Sequence, residues 1–587
     1  MKKHYETHVE DTDKLISVAG PVLDYKSWYE QYRKLMEEQA QRKYGLYTPT
    51  SEGDDDDFPS IPGITARYSA LGLTNEQMAA NPVWKNLTGN GHDLQMKNFS
   101  WKGMSGVGGY VGDFSKWVNN RDTTEIGITK SNSKVIIDVK VSQGSGKNIV
   151  FISKSNLGIS NNVTIKITST YPEGVMKFAN SASNKYLKLP SNGIITLQDN
   201  PEYTSNEMHL HLASADLGQI TIEQLPLYPG ALVFDGVDDY GTCNNFPILT
   251  KEKGYTVVAL RQWITRGEIA QGLVSNVKNW LKDGAFLLEY RNIQAENLNK
   301  PISFGAIGSE MDLPHILTYQ TSKSYNGVSI TTGNFEGTDV LHVGKLAPTN
   351  VGTCINAAIW ELVFLDHDAT EEELTKIKDY FVKTYPWLFP DQAWTVTGKT
   401  NEDEDRATIA NITGNGNDLV LSNFGFAEGS GYNEEGEYAS YLVTDGVDDK
   451  IVSSVFGMGK DFTIVGDWKF IDNKKSGTGL VKGSSFYIYN TMIGLDLYIN
   501  SGSVTNSFNG IKSINAVCSD GRVYDPNWDE ILANTGNVVG SGGALEVSSS
   551  GGRFDRMAFK NLVIYPRILS KDDCIKAYNY LQTLKAK

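Results

Sequence analysis

The chain has 587 residues, 40% hydrophobic and 21% charged, a globular balance over a length that predicts roughly three to four domains rather than one core. Its 69 acidic against 54 basic residues leave a net charge of −15, which argues against an electrostatic grip on nucleic acid or anionic lipid by the chain as a whole. Gly at 57 residues, Tyr at 29 and short runs of Thr and Val suit strands joined by tight turns and predict a mainly β protein. Cys243, Cys354, Cys518 and Cys574 lie far apart with no C-x-x-C pair, so neither a zinc knuckle nor a disulfide scaffold is encoded and the four read as isolated thiols.

The amino terminus, MKKHYETHVEDTDK, carries no apolar signal core, and no later stretch approaches 18 apolar residues. Synthesis and folding in a cytoplasm, without membrane insertion, are expected. From Asp24 to Lys43, Tyr25, Trp28, Tyr32, Leu35 and Met36 share one face of an amphipathic helix of about five turns. Asp54 to Asp57, Pro59 and Pro62 follow as an extended, solvated linker. Residues 1–60 therefore read as a helical anchor on a tether, with Trp28, Tyr32 and Leu35 as its contact residues; packing of the helix on the first β domain is the alternative. Spacing at 25, 28, 32 and 35 allows a short coiled-coil contact, which Gln39 and Arg42 interrupt.

The rest of the chain contains a repeat. Residues 86–99, NLTGNGHDLQMKNF, match 411–424, NITGNGNDLVLSNF, at nine of fourteen positions. FDGVDDY at 234–240 is echoed by TDGVDDK at 444–450, and IWELVFLDHDATEEEL at 359–374 by FKNLVIYPRILSKDDC at 559–574. From Gly91 to Asp235 is 144 positions and from Gly416 to Asp445 only 29, so the first copy carries 115 extra residues. Within them KVIIDVKV, NVTIKITST, GIITLQD and QITIEQL alternate apolar and polar residues, the pattern of half-buried strands. The expected organisation is 1–60 anchor and linker; 61–111 plus 230–390 first domain; 112–229 an inserted β-sandwich; 391–587 second domain.

Each copy closes on a strand and a helix. Thr370 with Glu373 forms a capping box before Leu374, Ile377 and Phe381, and Pro386 ends the segment. In the second copy Ser570 takes the cap position, and Cys574, Ala577 and Leu581 take the apolar stripe, so Cys574 reads as a buried, inert thiol.

The TGNG segment, the FDGVDDY hairpin and the closing LVIYPRILS strand with its helix resemble the laminin-G or concanavalin-A-like lectin and glucanase fold. The resemblance implies tandem antiparallel jelly-roll sandwiches over residues 61–111 and 230–587. The interrupted first copy is most similar to virion structural proteins of tailed phages infecting Bacteroides-type bacteria, the crAss-like phages among them. That resemblance implies a non-enzymatic head or tail fibre on the virion surface. Its partners would be capsid or tail proteins through residues 1–60, copies of itself as a dimer or trimer, and host or mucosal glycans. A capsule depolymerase and a bacterial surface glycan-binding protein are the alternatives. DGVDD itself supplies the Asp-Gly turn of a hairpin; since family members can bind calcium through loop carboxylates, Asp235, Asp238, Asp239, Asp445, Asp448 and Asp449 are the calcium alternative, and no other cofactor is expected.

Hydrolases of this fold place carboxylates in an E-x-D-x-x-E pattern on one strand. This sequence lacks it: the nearest matches are Glu310 with Asp312, broken by Pro314, and the polar run Glu402, Asp403, Glu404 and Asp405. No G-x-S-x-G, Walker loop or H-E-x-x-H is present. His209 and His211 would share a strand face but lack a third metal ligand. Trp263, Trp280, Trp468 and Trp528 could stack on sugars, though each also suits a core position. No catalytic, cofactor or metal residue is assigned.

Overall fold

The computed structural model describes residues 58–586, apart from brief gaps in loops and the longer stretches 198–205, 266–270, 277–286, 289–315, 330–337, 346–353 and 533–540. The helix expected at Asp24–Lys43, with Trp28, Tyr32 and Leu35, lies outside these residues, as do Trp280, Glu310 and Asp312. What is described is mainly β, built from antiparallel sheets.

The two copies share a sheet order. In the first, the strands run Val328–Ser329, Ser324–Tyr325, Leu317–Thr321, Thr256–Thr265, Asn356–Leu365, Leu232–Asp235 and Gly106–Val107, with Ile64–Ser69 also pairing Asn356–Leu365. The second runs Glu530–Leu532, Arg522–Tyr524, Ala516–Cys518, Thr463–Phe470, Met557–Tyr565, Tyr441–Val443 and Gly431–Asn433, with Gln392–Thr395 on Met557–Tyr565. A second sheet faces each. Leu94, Met96 and Val343 of one sheet share a core with Tyr68, Phe234 and Val257 of the other, and Leu419, Ile451 and Leu545 do so with Trp394, Ile464 and Phe559. The closing strands are apolar on both faces because one face meets this inner core and the other meets a helix.

The repeated sequence landmarks are hydrogen-bonded staples. In NLTGNG, Asn86 accepts from Arg67 N (2.9 Å) and donates to Gly91 O (2.6 Å), while its own N–H is held by Asp93 (2.9 Å). Asn411 repeats all three bonds with Ala393, Gly416 and Asp418. Such Asx-type bonding satisfies loop amides that no strand partner reaches, which explains why these residues recur.

Both closing helices begin as their sequences indicate. Thr370 Oγ1 accepts from Glu373 N over Glu371–Thr384 in a full capping box, and Ser570 caps Lys571–Leu581. Ile377 and Phe381, then Cys574, Ala577 and Leu581, are buried. One cysteine expectation changes: Cys518 and Cys574 are not isolated thiols but neighbours in the core beneath the second helix, and the Cys518 contact together with burial raises Cys574 well above an ordinary thiol.

The two helix-covered faces meet across the linker between the copies. Trp360, Tyr385, Trp387 and Leu388 pack with Tyr565, Tyr578 and Tyr580 in one core; Trp360 and Tyr580 stand edge to face at 6.1 Å, and Tyr565 Oη donates to Trp387 O at 2.7 Å. Burial of this many aromatic rings makes the pair of sandwiches a continuous unit rather than beads on a string.

The extra residues of the first copy form two five-stranded sheets around their own core, including Trp117, Ile137, Ile165, Phe178, Leu210 and Ile222. Their neck is narrow. Leu227 N donates to Gly109 O (3.0 Å) and Tyr228 N to Gly108 O (2.8 Å), so the chain leaves and re-enters at adjacent points. Gly108 has φ +86°, and a Cβ there would lie 2.7 Å from Pro226, which is why glycine occupies the crossing. Beside this neck the insertion also touches the rest of the molecule, where Ile194, level with Glu223 across the sheet, packs on the shared core.

Candidate functional site

The two DGVDD segments come first, since they carry the calcium alternative. Expected as hairpins, they are instead crossings between sheets: Leu232–Asp235 pairs with Asn356–Leu365 whereas Tyr240–Cys243 pairs with Leu94–Lys97, and Tyr441–Val443 and Lys450–Ser453 are divided in the same way. Gly236 and Gly446 take φ +81° and +72°, the left-handed geometry that the turn requires. Asp235 Oδ1 accepts from Val237 N (2.8 Å), Asp239 Oδ2 from Asp235 N (3.0 Å) and Asp239 Oδ1 from Ser105 Oγ (3.0 Å). Asp445, Asp449 and Ser430 repeat the set at 2.7, 2.7 and 3.0 Å. In each loop the three carboxyl groups approach within 4.8 Å. Burial pushes Asp239 up to about 7 and Asp449 to about 6, against the lowering effect of the amide and hydroxyl donors.

These residues do not fit calcium. The ion takes six to eight hard oxygens, whereas both oxygens of the buried Asp239 and Asp449 already accept hydrogen bonds, one from a loop amide and one from Ser105 or Ser430. Each loop is a latch where the chain crosses from one sheet to the other.

The other sequence candidates separate. Trp263, Trp468 and Trp528 are buried core residues, inaccessible to a sugar. His209 and His211 do share a face of the strand Met208–Leu212, with His209 Nδ1 3.0 Å from Asn120 Nδ2. Among the described residues, however, the groups of three or more potential metal ligands are the two Asp loops. Asp403 caps its own turn through Thr400 (2.8 Å), and Asp405 pairs with Lys399 (2.6 Å); that acidic run is a solvated turn.

A cleft of about 500 Å³ opens between the two sandwiches beside the linker. Five separated stretches line it. The first copy provides Ile316, Leu317, Tyr319 and Asn326, and its closing helix Lys378 and Val382. The linker gives Leu388, Phe389, Pro390 and Asp391; the second copy gives Thr413 and Asn415 of its TGNG turn, then Pro566 and Arg567 after its closing strand.

Local chemistry fixes these groups. Asn326 and Gly327 (φ +47° and +80°) form the two-residue turn of a hairpin, and Asn326 Oδ1 accepts from Tyr319 N (2.9 Å). Thr413 Oγ1 and Asn415 Nδ2 both donate to Asp391 O, at 3.1 and 2.8 Å. Asp391 Oδ2 accepts from Gln392 Nε2 (3.0 Å). Arg567 straps the copies together, donating to Val382 O (3.2 Å) at the end of the first closing helix and to Phe389 O (3.4 Å) in the linker. Free hydrogen-bonding capacity remains at Tyr319 Oη, Asn326 Nδ2 and Asn415 Oδ1, beside the apolar surfaces of Phe389, Pro390 and Leu388. Among the described residues of the lining, Asp391 is the one acidic side chain.

No sequence motif marks this cleft, because its residues belong to a hairpin, a helix, a linker and two loops. A signal existed in the repeat itself: aligning the closing segments sets Arg567 against His367, a change of cation between otherwise equivalent positions.

No family model and no curated protein matches the chain. Solved structures with a limited likeness include a Trypanosoma rangeli sialidase in complex with sialic acid, at 10% identity and TM-score 0.24, covering 78% of this chain and 85% of that one. Another is the binding domain of botulinum neurotoxin DC in complex with SialylT, at 10% identity and TM-score 0.22, covering 58% and 86%. A likeness of that extent does not align one site with another.

Proposed function

We propose that this protein is a non-enzymatic virion appendage of a tailed phage infecting Bacteroides-type bacteria, and that its tandem lectin-like sandwiches hold a glycan in the cleft between them. The observation that carries the binding part is the lining of that cleft. Apolar faces at Phe389 and Pro390 suit the CH faces of a sugar ring, and the free polar atoms of Tyr319, Asn326 and Asn415 suit its hydroxyls. A single acidic side chain among the described lining residues supports binding over hydrolysis, since glycoside cleavage by the usual route requires two carboxyl groups across the scissile bond. The virion part rests on the resemblance of the TGNG, DGVDD and closing segments, with capsid or tail proteins as partners through residues 1–60 and self-association as a dimer or trimer.

Glycan-array binding by the full chain, repeated with Phe389→Ala, tests the binding part. Retention of specific glycans by the native chain and their loss in the variant, with no reducing ends released, is the expected result. Undiminished binding by Phe389→Ala places recognition elsewhere and contradicts it.

A further inference from the structure

The two copies treat one position differently. In the first copy, His367 after the closing strand is 3.2 Å from both Asp366 Oδ1 and Glu373 Oε1; burial opposes its charge, but these carboxylates prevail and raise its pKa. In the second copy the equivalent position is Arg567. Pro566 replaces the first acid, and Asp573, in place of the second, is engaged by Ser570 (2.7 Å) and Lys576 (3.2 Å). Arg567 meets only main-chain carbonyls and has no carboxylate partner among the described residues. Lys378, across the cleft on the first closing helix, is likewise exposed and without an ion-pair partner among them.

Two cations without an ion-pair partner among the described residues face one cavity whose described lining has a single acid, in a chain with 15 more acidic than basic residues. That acid, Asp391, bonds the side chains of Gln392 and Asn415 rather than either cation. A guanidinium has five N–H donors in a planar fork, and the two carbonyl bonds of Arg567 leave three. Charge-assisted bonds from such a fork to an oxyanion are stronger than neutral ones and geometrically selective.

We propose that the cleft selects saccharides bearing an acidic group, a carboxylate or a sulfate, which Arg567 and Lys378 hold while Phe389 and the amide side chains take the ring. This rests on the glycan-binding reading and adds to it the charge of the ligand. Phe389 and Arg567 also join the sandwiches, so the charge test has a variant free of that role in Lys378→Gln.

The experiment is binding of the full chain to paired probes: oligogalacturonates against their carboxyl-reduced counterparts, and sulfated galactans against the desulfated forms. The acidic member of at least one pair is expected to bind about tenfold or more tightly, with the two pairs telling carboxylate from sulfate. Lys378→Gln should weaken that binding and its salt dependence while the neutral probe is unaffected, and Arg567→Gln, checked for an unchanged melting transition, should remove most of the preference. Equal binding of acidic and neutral members, abolished by Phe389→Ala, overturns the charge selection and leaves the glycan cleft standing. Binding of no probe in either series, or acidic binding that neither Lys378→Gln nor Arg567→Gln weakens, overturns the proposal.

Discussion

Asp239 and Asp449 perform the same task in the two sheet-crossing loops, yet each pays for its burial in acidity. Their folded-state pKa values, about 7 and 6, lie above those of an unfolded aspartate, so the folded chain holds these protons more tightly. The resulting stabilisation is complete below about pH 4 and is lost as pH rises through 6 for Asp449 and 7 for Asp239. Calorimetry from pH 4 to 7 should show the first copy losing stability, with a slope on the order of 1 kcal/mol per pH unit. Asp239→Asn, whose amide imitates the protonated acid, should flatten it; an unchanged slope would show that another group titrates. A contrasting buried pair is Arg67 with Glu361 (3.0 Å), where Tyr385 Oη adds a bond at 2.9 Å. The second copy has Ala393 and Asn561 there, on strands in the same register, with Ala393 opposite Val563 as Arg67 is opposite Val363, so the ion pair is dispensable to the sheet arrangement but costly to break singly.

At the scale of elements, the inserted sheets are separable by geometry. The neck bonds at Gly108 and Gly109 with Tyr228 and Leu227 place the cut ends side by side, and the insertion's core is its own. Replacing residues 111–225 by a short turn should leave the two sandwiches cooperative in thermal melting, with a modest loss from uncovering the Ile194 contact; collapse of both transitions would show that the insertion is integral to them. Much of this level was legible in the sequence. Thr370, Ser570 and the apolar stripes behind them are local signals, and the repeated Asn and Asp positions prove to be the bonded staples. The cleft was not legible, because no local pattern joins Tyr319, Phe389, Asn415 and Arg567. They meet only through the packing of two helix-covered faces, a long-range event with no periodicity to read. For Trp263, Trp468 and Trp528 the core reading holds and the stacking alternative does not; an aromatic residue in an apolar run looks the same whether it ends in a core or on a rim.

At the scale of the whole molecule, the described residues form a pair of sandwiches that share a cleft, and the anchor at residues 1–60 is the proposed addition to them. If residues 1–60 attach the chain to a particle, deleting 1–50 or changing Trp28 and Leu35 to Asp should spare the melting of the β sandwiches and abolish incorporation into virions. Particles carrying a full complement of the truncated chain would rule out that anchor. The binding claim has a more direct test: a crystal structure of the full chain with the tightest glycan from the array. The account predicts a sugar ring against Phe389, with hydroxyls bonded to Asn326 and Asn415 and no cleavage of the glycosidic bond. A glycan seated at the Asp235 or Asp445 loop with the cleft open, or a hydrolysed product in the cleft, would contradict it.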